Sequence, residues 1–267
     1  MAPLEPAGGD PYGRMARFYD DDYAAAGRDE DIAFYTSLAA ETGGPILEMG
    51  CGSGRNLLPI ARSGIAVHGV DSSPAMLRAL RDKLRLEPPD VRGRVRVTPG
   101  DIRTTRLAER FRLVTAPFRV AQHLLHLDDR RAWLRNVARH LEADGSFCFD
   151  VLNPDPDLLS RPHENERTIE RAIPSTSQVV VRGVRTRPGA IPGALEVDYT
   201  WRVERADIAT TEESHARLVF HLYTRSELES LLAEAGFEIR AYWGSFGRES
   251  FGPDSTDHVI LCRQRSY

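Results

Sequence analysis

Lysine is nearly missing from this chain: Lys83 is the only one among 35 basic residues, the rest being arginine. That bias reads as GC-rich coding, and no function is attached to it. Positive charge is not in excess either, since 39 acidic residues leave a formal net charge of −4. With a pI near 6.1, no global basic field draws the protein onto nucleic acid or anionic lipid. Cysteine is scarce. Cys51, Cys148 and Cys262 lie far apart with no C-x-x-C, which excludes a disulfide scaffold and a zinc knuckle. No apolar run approaches the roughly 18 residues of a membrane span, and residues 1–10 hold no basic segment followed by an apolar one. Neither spanning nor export is expected, and a cytoplasmic protein is the default. Repeats and low-complexity tracts are also missing. What remains, 41% apolar and 28% charged content over 267 residues, suffices for one sizeable domain with an insertion.

From Ile46 to Asp150, short apolar runs alternate with helical periods. Ile46 to Met49 reads as a strand breaking into the turn Gly50-Cys51-Gly52-Ser53-Gly54. A helix over Asn56 to Ala61 and a strand over Ile65 to Asp71 follow. Ser73-Pro74 opens a helix, serine as cap and proline at its first position, with Met76, Leu77, Leu80 and Leu84 as its apolar stripe. Val95 to Val97 and Phe111 to Ala116 are the third and fourth strands. A helix over Ala132 to Leu141, ended by Asp144-Gly145, leads to a fifth strand over Phe147 to Val151. Strand–helix alternation with short loops implies an α/β, doubly wound, mostly parallel sheet covered on both faces.

After Asn153-Pro154 the period changes to two. Leu195, Val197, Tyr199, Trp201 and Val203 alternate with polar residues, as do Ala216, Leu218, Phe220 and Leu222; Arg167 to Ala172 and Val179 to Val181 are weaker candidates. An antiparallel β-rich insertion is expected over residues 158–223. Thr224 with Glu227 forms a capping box, Gly236 ends that helix, and strands over Glu238 to Trp243 and His258 to Cys262 bring the main sheet to seven. The domains are therefore a cap over 1–43, a core over 44–157 and 224–267, and the insertion between, a substrate lid or a dimer element.

A glycine turn between strand and helix lets backbone approach a ligand, and a helix N-terminus favours negative charge. The dinucleotide pattern G-x-G-x-x-G fails here, because Arg55 stands where the third glycine belongs. Present instead are Glu48-x-Gly50-x-Gly52-x-Gly54, Asp71 at the end of the second strand where it can accept from ribose hydroxyls, and Gly100-Asp101-Ile102 after the third.

In this order and spacing the residues resemble the class I S-adenosylmethionine-dependent methyltransferases of the small-molecule type, and the resemblance covers Ile46 to Val151 best. It implies a Rossmann-like methyltransferase fold and S-adenosylmethionine as the methyl donor. It implies further that Gly50 and Gly52 border the methionine moiety, that Asp71 binds the ribose, that Met76 and Ile102 flank the adenine, and that Asp101 accepts from its amino group, with Glu48 and Ser72 also among the cofactor contacts. Ala116 and Pro117 would pass near the sulfonium. Tyr12-x-x-x-Ala16-x-Phe18-Tyr19-Asp20 resembles the N-terminal helix that closes over the cofactor, which makes Tyr19 a candidate for the methionine carboxylate or for catalysis at the substrate edge.

Methyl transfer is an in-line displacement, so the acceptor must be aligned with a free lone pair, and a base is needed only where the acceptor is protonated. If residues 116–126 are helical, Arg119, Gln122, His123 and His126 share a face. His123 is then the first choice for base or orienter, with Phe118, Arg119, Gln122 and Tyr223 as substrate contacts. Equally, His123 reads as a hydrogen-bonded histidine in a corner. No third ligand accompanies His123 and His126, and no acid follows strand four, so no metal is expected. Asn153-Pro154 lacks the remainder of the Asn-Pro-Pro-Tyr box, so nucleic acid is not the expected substrate. Tyr199, Trp201 and Phe220 fit the buried face of a small sheet better than a pocket wall, and the other faces of those strands allow a homodimer. Arg161, Arg167, Arg171, Arg182, Arg185 and Arg187 read as solvated surface. The layout resembles amine and amino-sugar N-methyltransferases of natural-product biosynthesis, so N-methylation of a small molecule is expected. O-methylation is the alternative; a non-catalytic cofactor-binding regulator and a nicotinamide oxidoreductase are the rivals from other classes.

Overall fold

The computed structural model describes residues 10, 12–13, 15–16, 18–20, 29–153, 165–173, 178–205 and 208–265, with side chains excluded at 165–173, 178–179, 204–205 and 208–211. The expected start of the insertion at residue 158 and Arg161 lie outside the described residues, as do the side chains of Arg167 and Arg171.

A seven-stranded sheet forms the core. Its strands are β1 (Ile46–Met49), β2 (Val67–Asp71), β3 (Val95–Pro99), β4 (Phe111–Ala116), β5 (Leu141–Leu152), β10 (Phe237–Trp243) and β11 (Asp257–Gln264). The order is β10-β11-β5-β4-β1-β2-β3. Every pairing is parallel except those of β11 with β10 and β5. Helices α1 (Glu30–Thr42), α2 (Leu57–Arg62), α3 (Pro74–Leu86), α4 (Pro89–Arg94), α5 (Leu127–His140) and α6 (Arg225–Glu234) connect and cover it. Among the described residues, no helix is long and apolar enough to cross a membrane.

The period of two sorts side chains onto the two faces. Leu47, Met49, Phe147 and Phe149 join Trp133 and Val137 of α5 in one core cluster. Ile46, Leu113 and Cys148 join Tyr35 of α1 and Leu77 and Leu80 of α3 in the other. Strand order reverses at β1, which pairs with β2 on one side and β4 on the other. Such a reversal opens a crevice at the carboxyl ends of the strands, and all of the chemistry below lies there.

The period change after residue 153 produces a separate antiparallel sheet, β6 (Asn165–Ile173), β7 (Gln178–Pro188), β8 (Ala194–Arg205) and β9 (Ile208–His221). Its alternating apolar face is core, as the alternation indicated. Leu195, Val197, Tyr199, Trp201 and Leu218 pack with Met15 and Phe18, and Phe18 stacks on Trp201 at 5.6 Å. The insertion is thereby fastened to the N-terminal segment.

Two boundaries differ from expectation. The helix before β5 starts at Leu127, not Ala132, because Asp128 and Asp129 suit a helix first turn. It stops at His140, and Asp144-Gly145 falls within β5, where the register against β4 shifts between Phe111 and Leu113 to absorb the extra residues.

Candidate active site

Ser73 and Asp71 organise the floor of the crevice. Ser73 caps α3 by accepting from the Met76 amide, and proline at the next position suits a helix start. Asp71, at the end of β2, accepts from the Gly52 amide through Oδ2 at 2.7 Å and from the Ser73 amide through Oδ1 at 2.8 Å. Burial nevertheless raises its pKa, outweighing those two donors.

The glycine turn is required sterically at two positions. Gly50 (φ 76°) would bring a Cβ to 2.4 Å from Val120 Cγ2, and Gly54 (φ 82°) would bring one to 2.3 Å from Leu80 Cδ1. Backbone thus packs where side chains cannot, and an open cavity of about 560 Å³ remains above it. Gly50, Cys51, Gly52 and Asp71 floor this cavity; Met76, Asp101 and Ile102 flank one end; Pro117, Phe118, Tyr12, Tyr19 and His123 wall the other.

Glu48 lies under the glycine turn with 1% exposure. Its Oε2 has no hydrogen-bond partner among the described residues. Burial raises its pKa, and the carboxylates of Asp31 and Asp71 add to the rise. Glu48 lines the cavity, and a buried carboxyl with an unsatisfied oxygen favours a hydrogen-bond donor or a cation. Arg55 does not fill that role, for it is held by Asp31 in a two-pronged ion pair and lies 4.6 Å over the Phe118 ring.

His123 faces the cavity, its Nε2 2.7 Å from the Tyr12 hydroxyl. Burial pulls its pKa down to about 4, so the ring is neutral at physiological pH. Tyr19 meets Tyr12 and Phe118 edge to face at 6.0 and 6.3 Å. The N-terminal segment is pinned in place by Asp20, which accepts from Ser53 Oγ and from Lys83 Nζ, each at 2.5 Å.

Several expected contacts are corrected. Residues 116–126 do not form a helix; only Val120–His123 makes a 3₁₀ turn, because Phe118 and Arg119 both have positive φ, 58° and 67°. Such residues cost about 1–3 kcal/mol each and interrupt helix propagation. Arg119, Gln122, His123 and His126 therefore share no face. Gln122 is buried and brackets two strands, donating to His221 O and accepting from Leu152 N, each at 3.0 Å. Arg119 turns to Asp257 at 3.4 Å. Tyr223 is wholly buried and donates to Ala121 O at 2.9 Å. Ala116 is wholly buried, and the cavity wall begins at Pro117. Asp101 does line the cavity, but its carboxylate is engaged by Arg103, which also reaches Asp129 at 2.5 Å.

Three participants were not found in the sequence. Asp10 accepts from Ser73 Oγ at 2.8 Å and from Ala75 N at 3.2 Å at the start of α3; nothing local in the sequence signals it. Asn56 lines the cavity beside the Arg55–Asp31 pair, to which it donates at 3.2 Å. Asp150 falls inside the span of the fifth strand, where nothing local in the sequence marks it.

The family model described as a methyltransferase domain matches residues 46–145. The chain is 24% identical to a cypemycin N-terminal methyltransferase of Streptomyces sp, over 88% of this chain and 89% of that one. It is 27% identical to a dTDP-3-amino-3,6-dideoxy-alpha-D-glucopyranose N,N-dimethyltransferase of Streptomyces fradiae, over 85% of each. The solved CcbJ methyltransferase of Streptomyces caelestis superposes with a TM-score of 0.78 at 26% identity, covering 96% of this chain and 98% of that one.

Proposed function

We propose that the chain is a class I S-adenosylmethionine-dependent methyltransferase of the small-molecule kind and that it methylates an amine nitrogen of a small molecule. The observation that carries this reading is the neutral Tyr12–His123 pair at the cavity wall. A hydroxyl acceptor must lose a proton to a base, and an imidazole with a pKa near 4 takes up a hydroxyl proton poorly. An amine needs only to be unprotonated, and desolvation against the aromatic wall lowers an ammonium pKa. Aromatic side chains and a neutral imidazole at the reacting end suit a nitrogen acceptor. The relatives named for N-methylation agree with this choice.

The residues present fit the methyl donor. Glu48 holds an unsatisfied buried oxygen where a ligand ammonium would satisfy it, and the glycine turn presents backbone to the cavity at Gly50 and Gly52. In this reading Gly50 and Gly52 border the methionine portion, Asp71 and Ser72 take the ribose hydroxyls, and Met76 and Ile102 cover the adenine. Asp101 keeps lone pairs beside its Arg103 contacts for the adenine amine. When bound, the donor supplies an electrophilic methyl group on a sulfonium, and displacement by an amine lone pair leaves a neutral thioether. Pro117 and Phe118 wall the reacting end, Tyr19 closes it from the N-terminal side, and His123 with Tyr12 orients the acceptor. Orientation of this kind is worth up to roughly 7–11 kcal/mol of barrier.

Calorimetric titration with S-adenosylhomocysteine, S-adenosylmethionine and NAD tests the donor. Incubation with S-adenosylmethionine and a panel of amino sugars, peptide N-termini and phenols, read by mass spectrometry, tests the acceptor. Methylene-sized mass increments confined to the amines support the proposal. Increments confined to the phenols would replace it with O-methylation.

A further inference from the structure

Asp150, near the end of β5, is 1% exposed, and its carboxylate is spent on the loop that follows β4. Oδ1 accepts from the Phe118 amide at 2.7 Å and from the Tyr35 hydroxyl of α1 at 2.8 Å; Oδ2 accepts from the Arg119 amide at 3.1 Å. Phe118 and Arg119 are consecutive non-glycine residues with φ of 58° and 67°, a conformation that persists only where the surroundings impose it. Two strained residues offer adjacent amides to one buried carboxylate. Phe118 is also a wall common to the donor cavity and to a second cavity of about 390 Å³ on the far side, lined by Asp150 itself. Pro117, Val120, His123 and Leu124 of the same loop and turn line the donor cavity too.

We infer that Asp150 is a positioning residue: its carboxylate clamps the Phe118 and Arg119 amides in the left-handed conformation and so sets where Phe118, Val120 and His123 stand against the methyl-donor cavity. This rests on the methyltransferase reading of that cavity. Three donors converge on an acceptor-only group. Asparagine would turn an N–H₂ toward at least one of them, and a protonated carboxyl would lose acceptor capacity in the same way. The clamp therefore requires the ionised form. Burial pushes the Asp150 pKa up to about 7, with Asp31 of α1 and Asp257 of β11 adding to the rise and the Tyr35 hydroxyl and Phe118 amide opposing it. Of the other groups nearby, the Arg119 guanidinium is turned to Asp257 at 3.4 Å, and burial keeps the Cys148 thiol of β5 neutral. The clamp thus switches near neutrality.

The test measures S-adenosylhomocysteine affinity by calorimetry between pH 5.5 and 8.5 in the wild type, Asp150→Asn, Asp150→Ala and Tyr35→Phe, with hydrogen exchange of the segment 117–124 in each. The wild type is expected to bind about tenfold more weakly at the acid end, a loss equal to one clamp bond. That loss should be accompanied by faster exchange of the segment. Asp150→Asn should bind at every pH as the wild type does at acid pH. Tyr35→Phe, which removes a donor to the anion, should move the midpoint to higher pH and keeps the test valid if the Asp150 variants do not fold. A role confined to stability would shift melting temperature but leave the pH dependence of affinity in place. Affinity and exchange profiles that coincide in all four proteins overturn the inference. Failure of the wild type to bind S-adenosylhomocysteine at any pH overturns the cavity reading instead, and the exchange profile still reports whether the clamp titrates.

Discussion

The Tyr12 hydroxyl lies 2.7 Å from His123 Nε2, a contact across 111 residues that joins the N-terminal segment to the turn after β4. Because burial holds the imidazole pKa near 4, His123 stays neutral through any pH at which the enzyme is assayed. It acts by hydrogen bonding and shape. His123→Ala is expected to slow turnover of the amine acceptor by about tenfold to a hundredfold, in line with lost orientation. S-adenosylhomocysteine affinity should stay within about threefold of wild type, since the residue's polar contact is to Tyr12. The pH profile of the variant should keep any limb near 7. Steady-state kinetics with parallel calorimetry checks this, and disappearance of that limb in His123→Ala would show that the imidazole titrates after all.

Asp71 offers a second prediction. Its two oxygens are each held by an amide, from Gly52 and from Ser73, which fixes the carboxylate and leaves lone pairs toward the cavity. Two hydroxyls bonded to a charged acceptor are worth about 1.5–3 kcal/mol each, so Asp71→Ala should weaken S-adenosylhomocysteine binding by at least about a hundredfold. An affinity for the variant within a few-fold of the wild type removes Asp71 from the site.

These residues were visible before the structure because strand-end acids and glycines keep a fixed spacing to the elements that carry them. Glu48, Gly50, Gly52, Asp71 and Asp101 all line the cavity, and the change from short apolar runs between helical periods to strict alternation marks the second sheet. The stretch after β4 looks compatible with a helix because its one proline, Pro117, falls where a helix first turn tolerates it and no breaker follows up to His126. What stops the helix is Asp150, which accepts from the Phe118 and Arg119 amides from 32 and 31 residues away. The fates of Gln122 and Tyr223 depend on His221, Leu152 and Ala121, partners that no local pattern reveals. Asp101 was found but its engagement by Arg103 was not, since a side chain folding back over two residues leaves no periodic signal.

The only lysine provides a third prediction and its own probe. Lys83 Nζ lies 2.5 Å from Asp20 Oδ2, with Asp20 also accepting from Ser53 of the glycine turn. Both charged side chains are about one-third exposed, and such pairs contribute about 0–1 kcal/mol. Lys83→Met should accordingly weaken S-adenosylhomocysteine binding by no more than about fivefold, the effect shrinking at high salt. Reductive ¹³C-methylation of the wild type labels one side-chain amine, and its NMR resonance should move when S-adenosylhomocysteine binds. An unmoved resonance would show that Asp20 and the N-terminal segment do not respond to the donor site.

His258 sets part of the acid limit of stability. It is 1% exposed, its Nδ1 lies 2.6 Å from the Tyr242 hydroxyl, its Nε2 has no partner among the described residues, and its ring stacks on Phe251 at 4.7 Å. Burial, helped by Arg225, pulls its pKa down to about 4. In the unfolded chain the value is near 6.5. Above pH 6.5 the residue is neutral in both states and contributes no pH dependence. Between 6.5 and 4 the unfolded chain takes up a proton that the folded protein refuses, so stability falls as pH falls. Below 4 both states are protonated and the loss saturates, at up to about 3 kcal/mol. His258→Gln keeps a partner for Tyr242 but cannot titrate. Its stability deficit against wild type, from urea midpoints, should be largest at pH 7.5 and should shrink by up to about 3 kcal/mol on going to pH 4. His68 and His140, whose pKa values burial also lowers, are present in both proteins and cancel from the difference. A deficit that stays constant over this range would mean that the folded protein protonates His258 as readily as the unfolded chain does.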